Sequence, residues 1–176
     1  MARLNQSASL SFLGVAMAAT SKVRRYRPVD YQGLLSFLNS TLSEMGYNFL
    51  PDGKDADIRD IDDVYIKNRG SFHVVDYQGE IRGCVGVKKL SDEIAELKRL
   101  YIAQECRGFG LGRALCTNAI EDARNLGYKC LRLDTTTKSQ AALALFRKLG
   151  FHEIPRYNSD LFAEIFMEKP LMMHHN

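Results

Sequence analysis

Residues 104–115 have the sequence QECRGFGLGRAL, and this stretch decides which fold the chain can adopt. Three glycines, at positions 108, 110 and 112, stand between two arginines and lead into the apolar spacing of an amphipathic helix. Glycine is costly to order, so its repetition needs a reason. A bare backbone that leads into a helix leaves the first amide N–H groups of that helix directed at one point, where they can bind an anion. The stretch therefore predicts an anion-binding loop.

Two familiar phosphate-binding patterns do not fit this loop. A dinucleotide fingerprint requires a glycine where the chain has Arg113, and a P-loop requires Lys-Ser or Lys-Thr after its last glycine. What remains is the pattern R-x-x-G-x-G, from Arg107 to Gly112, directly between a strand and a helix. The helix begins without a Ser, Thr, Asp or Asn cap, so a bound phosphate would satisfy its first N–H groups. A tight glycine-rich turn without a ligand is the simpler alternative.

The periodicity on either side of the loop predicts the element order β-α-α-β-β-β-α-β-α-β-β. Strands follow an alternation of two, and helices follow an apolar spacing of three or four. Hairpins that precede a strand–helix–strand unit imply a mixed sheet, antiparallel at first, with helices on both faces, which is an α/β (α+β) fold. The predicted strands lie in 22–30, where Pro28 stops the strand, and in 71–77, 80–90, 91–102, 129–135, 151–154 and 162–171. The predicted helices are 31–46, 58–70, 111–127 and 139–150.

Length and composition indicate one ordinary globular domain. The chain has 176 residues, 45% of them hydrophobic and 26% charged, and its net charge is +3 from 24 basic and 21 acidic residues. This balance is too even to predict binding to nucleic acid or to an anionic membrane. No apolar run reaches the roughly 18 residues of a spanning helix. We expect a domain over 22–171 and a short tail at 172–176, in a monomer or a homodimer.

The N-terminal extension, residues 1–21, differs from the rest of the chain. None of the first 29 residues is acidic, and an Ala-x-Ala site at 16–18 follows a short apolar run. This pattern allows a secretory signal peptide, and the basic, serine-containing composition also allows an organellar presequence. A frayed extension ahead of the domain is the third interpretation, and it is favoured because Ser9, Ser11 and Gly14 interrupt the apolar run.

The cysteines predict a reducing compartment. No Cys-x-x-Cys pair is present, so the sequence offers neither a zinc ribbon nor a redox motif. Each cysteine lies within a predicted element or beside the glycine loop, where buried free thiols are common. We therefore expect a cytoplasmic protein without a metal. The four cysteines are Cys84, Cys106, Cys116 and Cys130.

Three segments together are similar to a known family. ELKRLYIAQECRGFGLGRAL, LRLDT and AALALFRKLGF, in this order, resemble the GNAT superfamily of acyl-coenzyme A (CoA)-dependent N-acyltransferases, and the resemblance covers residues 22–171. Its most specific parts are the R-x-x-G-x-G segment and the run A-x-x-L-[aromatic]-x-x-x-G-F at 142–151. The resemblance implies a splayed mixed sheet. It also implies transfer of an acetyl group from acetyl-CoA to a primary amine of a small molecule or peptide, by direct attack on the thioester and without a metal.

The resemblance also assigns a coenzyme site. In this family the glycine loop cradles the CoA pyrophosphate, and the preceding strand pairs with the pantetheine arm. The N–H group of Leu100 would polarise the thioester carbonyl as an oxyanion donor, and the acyl chain would enter a gap between this strand and 129–135. The implied CoA-binding residues are Leu100, Tyr101, Ile102, Arg107, Gly108, Phe109, Gly110, Leu111, Gly112, Arg113, Ser139 and Phe146.

Acyl transfer to an amine requires a base that removes a proton from the ammonium group, and a carboxylate in the cleft can do this. Glu96 lies eleven residues before the first arginine of the loop, a separation at which some members of this family place their base. Asp134, on the neighbouring strand, is the reserve candidate. A period of two places Leu100 and Ile102 on the same strand face as Glu96. The alternative is that Glu96 is a solvated residue paired with Lys98 or Arg132.

Two residues depart from the family pattern. Many members carry a tyrosine that can protonate the departing thiolate where this chain has Phe146, and an asparagine where it has Ser139. Tyr157 or water could take over the acid role, and nothing in the sequence selects one of them. The departures keep open an interpretation of another class, a non-catalytic acyl-CoA-binding module of the same fold.

An acidic segment, residues 51–63, lies where this family shapes its acceptor site. An acidic rim would favour a cationic amine as acceptor, whereas a solvated helix face, the interpretation we prefer, would have no role in binding. The six aspartates of the segment are Asp52, Asp55, Asp57, Asp60, Asp62 and Asp63.

Overall fold

The computed structural model describes residues 20–171, so the expectations for 1–19 and for the tail at 172–176 lie outside the described residues. The strands are β1 Lys22–Arg25, β2 Ser71–Tyr77, β3 Glu80–Lys89, β4 Ile94–Ile102, β5 Cys130–Thr135, β6 His152–Ile154 and β7 Ile165–Pro170. The helices are α1 Tyr31–Glu44, α2 Leu111–Asn125 and α3 Gln140–Lys148.

The seven strands form one sheet in the order β1-β2-β3-β4-β5-β7-β6. Neighbours β4 and β5 are parallel, and the other neighbouring pairs are antiparallel. The parallel pair is joined through α2, as expected of a strand–helix–strand unit. The predicted mixed sheet and the order of its elements are confirmed, with one difference in the second helix.

The long helices bury the apolar stripes that their sequences predict. In α2, Leu115, Ala119 and Ala123 recur every four residues and are completely buried, and α2 packs on β2, β3 and β4. In α1, Leu34 and Leu38 are buried in the same way. Burial of each leucine contributes about 1.5–3 kcal/mol, so these stripes hold the helices to the sheet.

The second predicted helix forms only short turns. A 3₁₀ turn spans Ala56–Ile58 and a single π-helical turn spans Asp62–Ile66. Asp60 accepts a hydrogen bond from the backbone N–H of Asp63 at 3.2 Å. Aspartate side chains that bond to nearby backbone compete with the helical ladder in this way, which explains the interruption.

β4 and β5 separate soon after they meet. Their parallel register runs from Ile94 opposite Cys130 to Glu96 opposite Arg132, and β4 then pairs only with β3 while β5 pairs with β7. We call the gap beyond Glu96 and Arg132 the fork. The splayed sheet implied by the resemblance is therefore present, and the fork opens at the level of Glu96.

A β-bulge lies on β4 beside the fork. Lys98 stands opposite Gly86 and Tyr101 stands opposite Cys84, so β4 carries one more residue than β3 between these pairs. The bulge contradicts the shared face expected from a period of two. Glu96 pairs with Lys88 and Ile102 pairs with Gly83, five residues apart on β3, so their side chains point to opposite faces.

Within residues 20–171, no helix has both the length and the apolar composition needed to cross a bilayer.

Candidate active site

The glycine loop lies between β4 and α2, as predicted. Gly108 and Gly110 have φ of 83° and 82°, in the left-handed region that favours glycine. Apart from the adjacent residues of the chain, no heavy atom lies within 4 Å of the position of a Cβ on either residue. Gly110 directly precedes α2, and no side chain caps the helix. The first N–H groups of α2 therefore lack an internal acceptor and face an open cradle. These observations fit a pyrophosphate.

The third glycine differs from the other two. A Cβ on Gly112 would lie 3.7 Å from the Cδ2 of Leu145, which is an ordinary van der Waals contact, so an alanine would also fit there. Phe109 is half-buried, and Leu111 is buried in the hydrophobic core. Leu111 therefore anchors the first turn of α2.

The two arginines stand at the surface of the loop. Both Arg107 and Arg113 are exposed. The Nε of Arg107 donates to the carbonyl oxygen of Ile102 at 3.0 Å, which holds this side chain near the end of β4. The outer nitrogens of the guanidinium group remain available for a phosphate oxygen.

The fork brings the predicted base and its reserve into one polar network. Glu96 is 4% exposed. Its Oε1 accepts hydrogen bonds from the hydroxyl of Tyr157 at 2.7 Å and from Nδ2 of Asn158 at 3.4 Å. Its Oε2 lies 3.4 Å from the ammonium group of Lys98. Glu96 is therefore a buried, oriented carboxylate and not a solvated strand residue.

Asn158 links the two carboxylates. Its Nδ2 donates to Oδ2 of Asp134 at 2.5 Å as well as to Glu96. Tyr157 and Asn158 both belong to the loop between β6 and β7, more than 60 residues from Glu96 in the chain. Asn158 was not predicted, because a single loop asparagine carries no sequence signal for such a contact.

Tyr157 is held in place as a hydrogen-bond donor. Burial raises its pKa well above the usual range, and the negative charge of Glu96 raises it further. The guanidinium carbon of Arg132 lies 5.3 Å from the centre of the Tyr157 ring, and Phe166 packs against the ring edge-to-face. Arg132 itself pairs with Glu168 at 2.7 Å, so of the two partners expected in the alternative, Glu96 has Lys98 and not Arg132.

The family model for the "Acetyltransferase (GNAT) family" matches residues 35–151. The chain belongs to this family. It is 35% identical over 103 residues to uncharacterized N-acetyltransferase YjgM of Escherichia coli (strain K12), a match that covers 57% of the chain and 62% of that relative. The match thus leaves more than a third of the relative's length uncovered.

Solved structures show the same fold. A GNAT-family acetyltransferase from Staphylococcus aureus Mu50 superposes with a TM-score of 0.79 at 20% identity, covering 86% of this chain and 99% of that one. The structure of YncA from Salmonella typhimurium, which contains its cofactor acetyl-CoA, superposes with a TM-score of 0.71 at 17% identity, covering 89% and 97%.

Two positions of this GNAT protein lack the polar groups common in the family. Phe146, on α3, is 4% exposed and packs edge-to-face on Phe151, so its side chain belongs to the core. Ser139 precedes α3, and its Oγ lies 3.5 Å from Oγ1 of Thr136. Neither residue supplies an acid to the fork.

The acidic segment is neither a plain rim nor a solvated helix face. Asp55 and Asp57 turn inward, where their side chains are only 3% and 11% exposed. Asp52 pairs with Arg59 and Asp63 pairs with Lys67 on the surface. The solvated face that we expected is thus wrong for Asp55 and Asp57, because both carboxylates pair with the buried guanidinium group of Arg99 on β4.

Proposed function

We propose that this GNAT protein is an acetyl-CoA-dependent N-acetyltransferase that acts on a primary amine of a small molecule or peptide. The observation that carries the proposal is the buried carboxylate of Glu96 at the start of the fork, oriented by Tyr157, Asn158 and Lys98. A carboxylate fixed beside a gap between two strands is a suitable base for an amine that reaches a thioester held in that gap.

The chain contributes to coenzyme binding through its backbone. The N–H groups at the start of α2, with Arg107 and Arg113 beside them, would bind the pyrophosphate. β4 would pair with the pantetheine arm along Leu100–Ile102, because its edge facing β5 is unpaired beyond Glu96. When bound, acetyl-CoA supplies a thioester that reacts with amines.

Three groups of the chain divide the chemistry at the fork. Glu96 takes a proton from the incoming ammonium, directly or through water, so that the neutral amine can attack. The N–H group of Leu100 would donate a hydrogen bond to the thioester carbonyl oxygen and stabilise the negative charge that develops there. Tyr157 keeps its own proton, because its pKa is raised, and orients Glu96. Water would then supply the proton to the leaving thiolate when the carbon–sulfur bond breaks.

A single experiment tests the proposal and its alternative. Thiol release from acetyl-CoA is measured with a panel of primary amines that includes cationic, neutral and peptide amines, and CoA binding is measured by calorimetry. Turnover with at least one amine supports the enzyme. Tight binding without turnover on any amine supports the non-catalytic module, which Phe146 favours because it lacks the hydroxyl of the family tyrosine.

The proposal assigns the reaction to residues 22–171 and to a reducing compartment such as the cytoplasm. All four cysteines are free thiols, and three of them are buried. Free thiols persist in compartments where disulfides are kept reduced. Fractionation of cells that express the full chain tests this assignment.

A further inference from the structure

Arg99 has an unusual backbone conformation at the bulge of β4. Its φ is 59°, in the left-handed region that is unfavourable for a residue with a side chain. Arg99 and Leu100 are the two residues of β4 that stand between the pairs Lys98–Gly86 and Tyr101–Cys84. The thiol of Cys84 contacts the carbonyl oxygen of Arg99 at 3.1 Å. Such a conformation persists only where the surroundings hold it.

The side chain of Arg99 provides that hold. Its Nη1 donates to Oδ1 of Asp55 at 2.6 Å, and its Nε and Nη2 donate to the two carboxylate oxygens of Asp57 at 3.0 and 2.5 Å. Nη2 also donates to the carbonyl oxygen of Lys54 at 3.1 Å. We call these contacts the Arg99 clamp. The Arg99 side chain is 11% exposed, so the clamp is largely shielded from water and its charged hydrogen bonds are strong.

The aspartates of the clamp are themselves fixed to their surroundings. Oδ2 of Asp55 accepts the backbone N–H of Leu50 at 2.8 Å, and the hydroxyl of Tyr65 donates to Asp57. Tyr65 is completely buried in the core. Burial by itself raises the pKa of Asp57, but the hydrogen bonds and charge of Arg99 outweigh it and hold this pKa below its usual value. The clamp thus ties β4 to an anchored segment more than 40 residues away in the chain.

We infer that Arg99 is a positioning residue for acyl transfer. The clamp holds the backbone of Arg99 in its left-handed conformation at the bulge. Because the amide N–H group of Leu100 belongs to the next peptide unit, the clamp also sets the direction of that N–H group. The inference rests on the proposed function, which gives the Leu100 amide its role. The same contacts fix the acidic segment beside the fork, so one guanidinium group aligns both sides of the acyl-transfer site.

Two variants separate positioning from stability. Arg99→Lys keeps the charge but cannot bind both oxygens of Asp57. The triple variant R99Q/D55N/D57N removes the buried charges together, so no buried carboxylate is left without its cation. R59Q is the matched control, because Arg59 pairs on the surface with Asp52 of the same segment.

The main readout is the infrared carbonyl band of acetyl-CoA labelled with ¹³C at the thioester carbon. We expect this band to shift when acetyl-CoA binds the wild-type protein and the R59Q variant, and at least half of the shift to disappear in both clamp variants. The dissociation constant for CoA should stay within about threefold, because the glycine loop is untouched. Turnover with an amine identified in the panel should fall by about 100-fold, the effect of misplacing a reacting group by about 1 Å.

Three results would overturn the inference. The first is a wild-type band shift that both folded variants keep in full. The second is failure of both variants to fold, since that would assign the clamp to stability alone. The third is a wild-type protein that binds acetyl-CoA without any shift of the thioester carbonyl band. Failure of the wild-type protein to bind CoA at all would instead refute the proposed function, and the inference with it.

Discussion

The Glu96→Gln substitution keeps the volume of the side chain and removes its basicity. The amide that replaces the carboxylate would retain an oxygen that can accept from Tyr157, at 2.7 Å in the wild-type protein, so the loop between β6 and β7 should stay in place. The contact that weakens is the one with Lys98, whose side chain is 26% exposed and therefore partly hydrated. We expect the free energy of unfolding to change by no more than about 1 kcal/mol.

The expected loss of activity follows from the role of the base. General base catalysis contributes about 10²–10⁴-fold, so turnover near neutral pH should fall by that factor, equivalent to about 3–5 kcal/mol of transition-state stabilisation. Raising the pH should recover much of the loss, because the amine is then deprotonated in solution. The CoA dissociation constant should be unchanged, because Glu96 lies in the fork and not in the glycine loop.

The assay is thiol release against pH with an amine from the panel, with melting temperature and CoA calorimetry measured in parallel. Glu93→Gln is the matched control: Glu93 directly precedes β4 and pairs with Lys129 at the surface, where its side chain is 62% exposed. Near wild-type turnover of a folded Glu96→Gln variant at neutral pH would refute the assignment. Asp134→Asn would then be tested, because Asn158 joins Asp134 to the same network.

Three further predictions concern the glycine loop, a buried histidine and the N-terminal extension. Replacing Arg107 with Ala should weaken CoA binding by about ten- to a hundredfold, since a charge-assisted hydrogen bond contributes about 1.5–3 kcal/mol, and unchanged affinity by calorimetry would contradict the pyrophosphate site. Burial lowers the pKa of His73, although the charge of Asp122, 3.7 Å away, acts in the opposite direction. The unfolded chain therefore binds the proton more readily than the folded one. The free energy of unfolding in urea should be highest above about pH 6.5 and should fall as the pH drops from there through the lowered pKa. The decrease should be smaller in His73→Gln. A chain that starts at Ser21 should keep the melting temperature of the full chain, because β1 begins at Lys22; a clear decrease would show that 1–20 stabilise the domain.

The sequence by itself determined the glycine loop, the long helices and the order of the strands along the chain. These features depend on local patterns: left-handed positions that require glycine, as at Gly108 and Gly110, and apolar residues every three or four positions, as in α2. The family resemblance rests on the same local patterns, and the match over residues 35–151 agrees with it. The position of Glu96 on the strand before the loop was also predictable, because it is set by a short distance along the chain.

Only the tertiary structure decided how the fork is built. Whether β4 keeps a period of two depends on its pairing with β3. The extra residue of the bulge at Arg99 places the side chain of Ile102 on the opposite face of the sheet from that of Glu96. The two hydrogen-bond donors to Glu96 lie 61 and 62 residues away in the chain, and the acceptors of the Arg99 side chain lie 42 to 45 residues away. An aspartate in a polar segment has the same sequence signature whether it faces water or a buried guanidinium group. The difference arises when distant strands and loops pack and remove water from the charges, and that is a property of the fold and not of any local pattern.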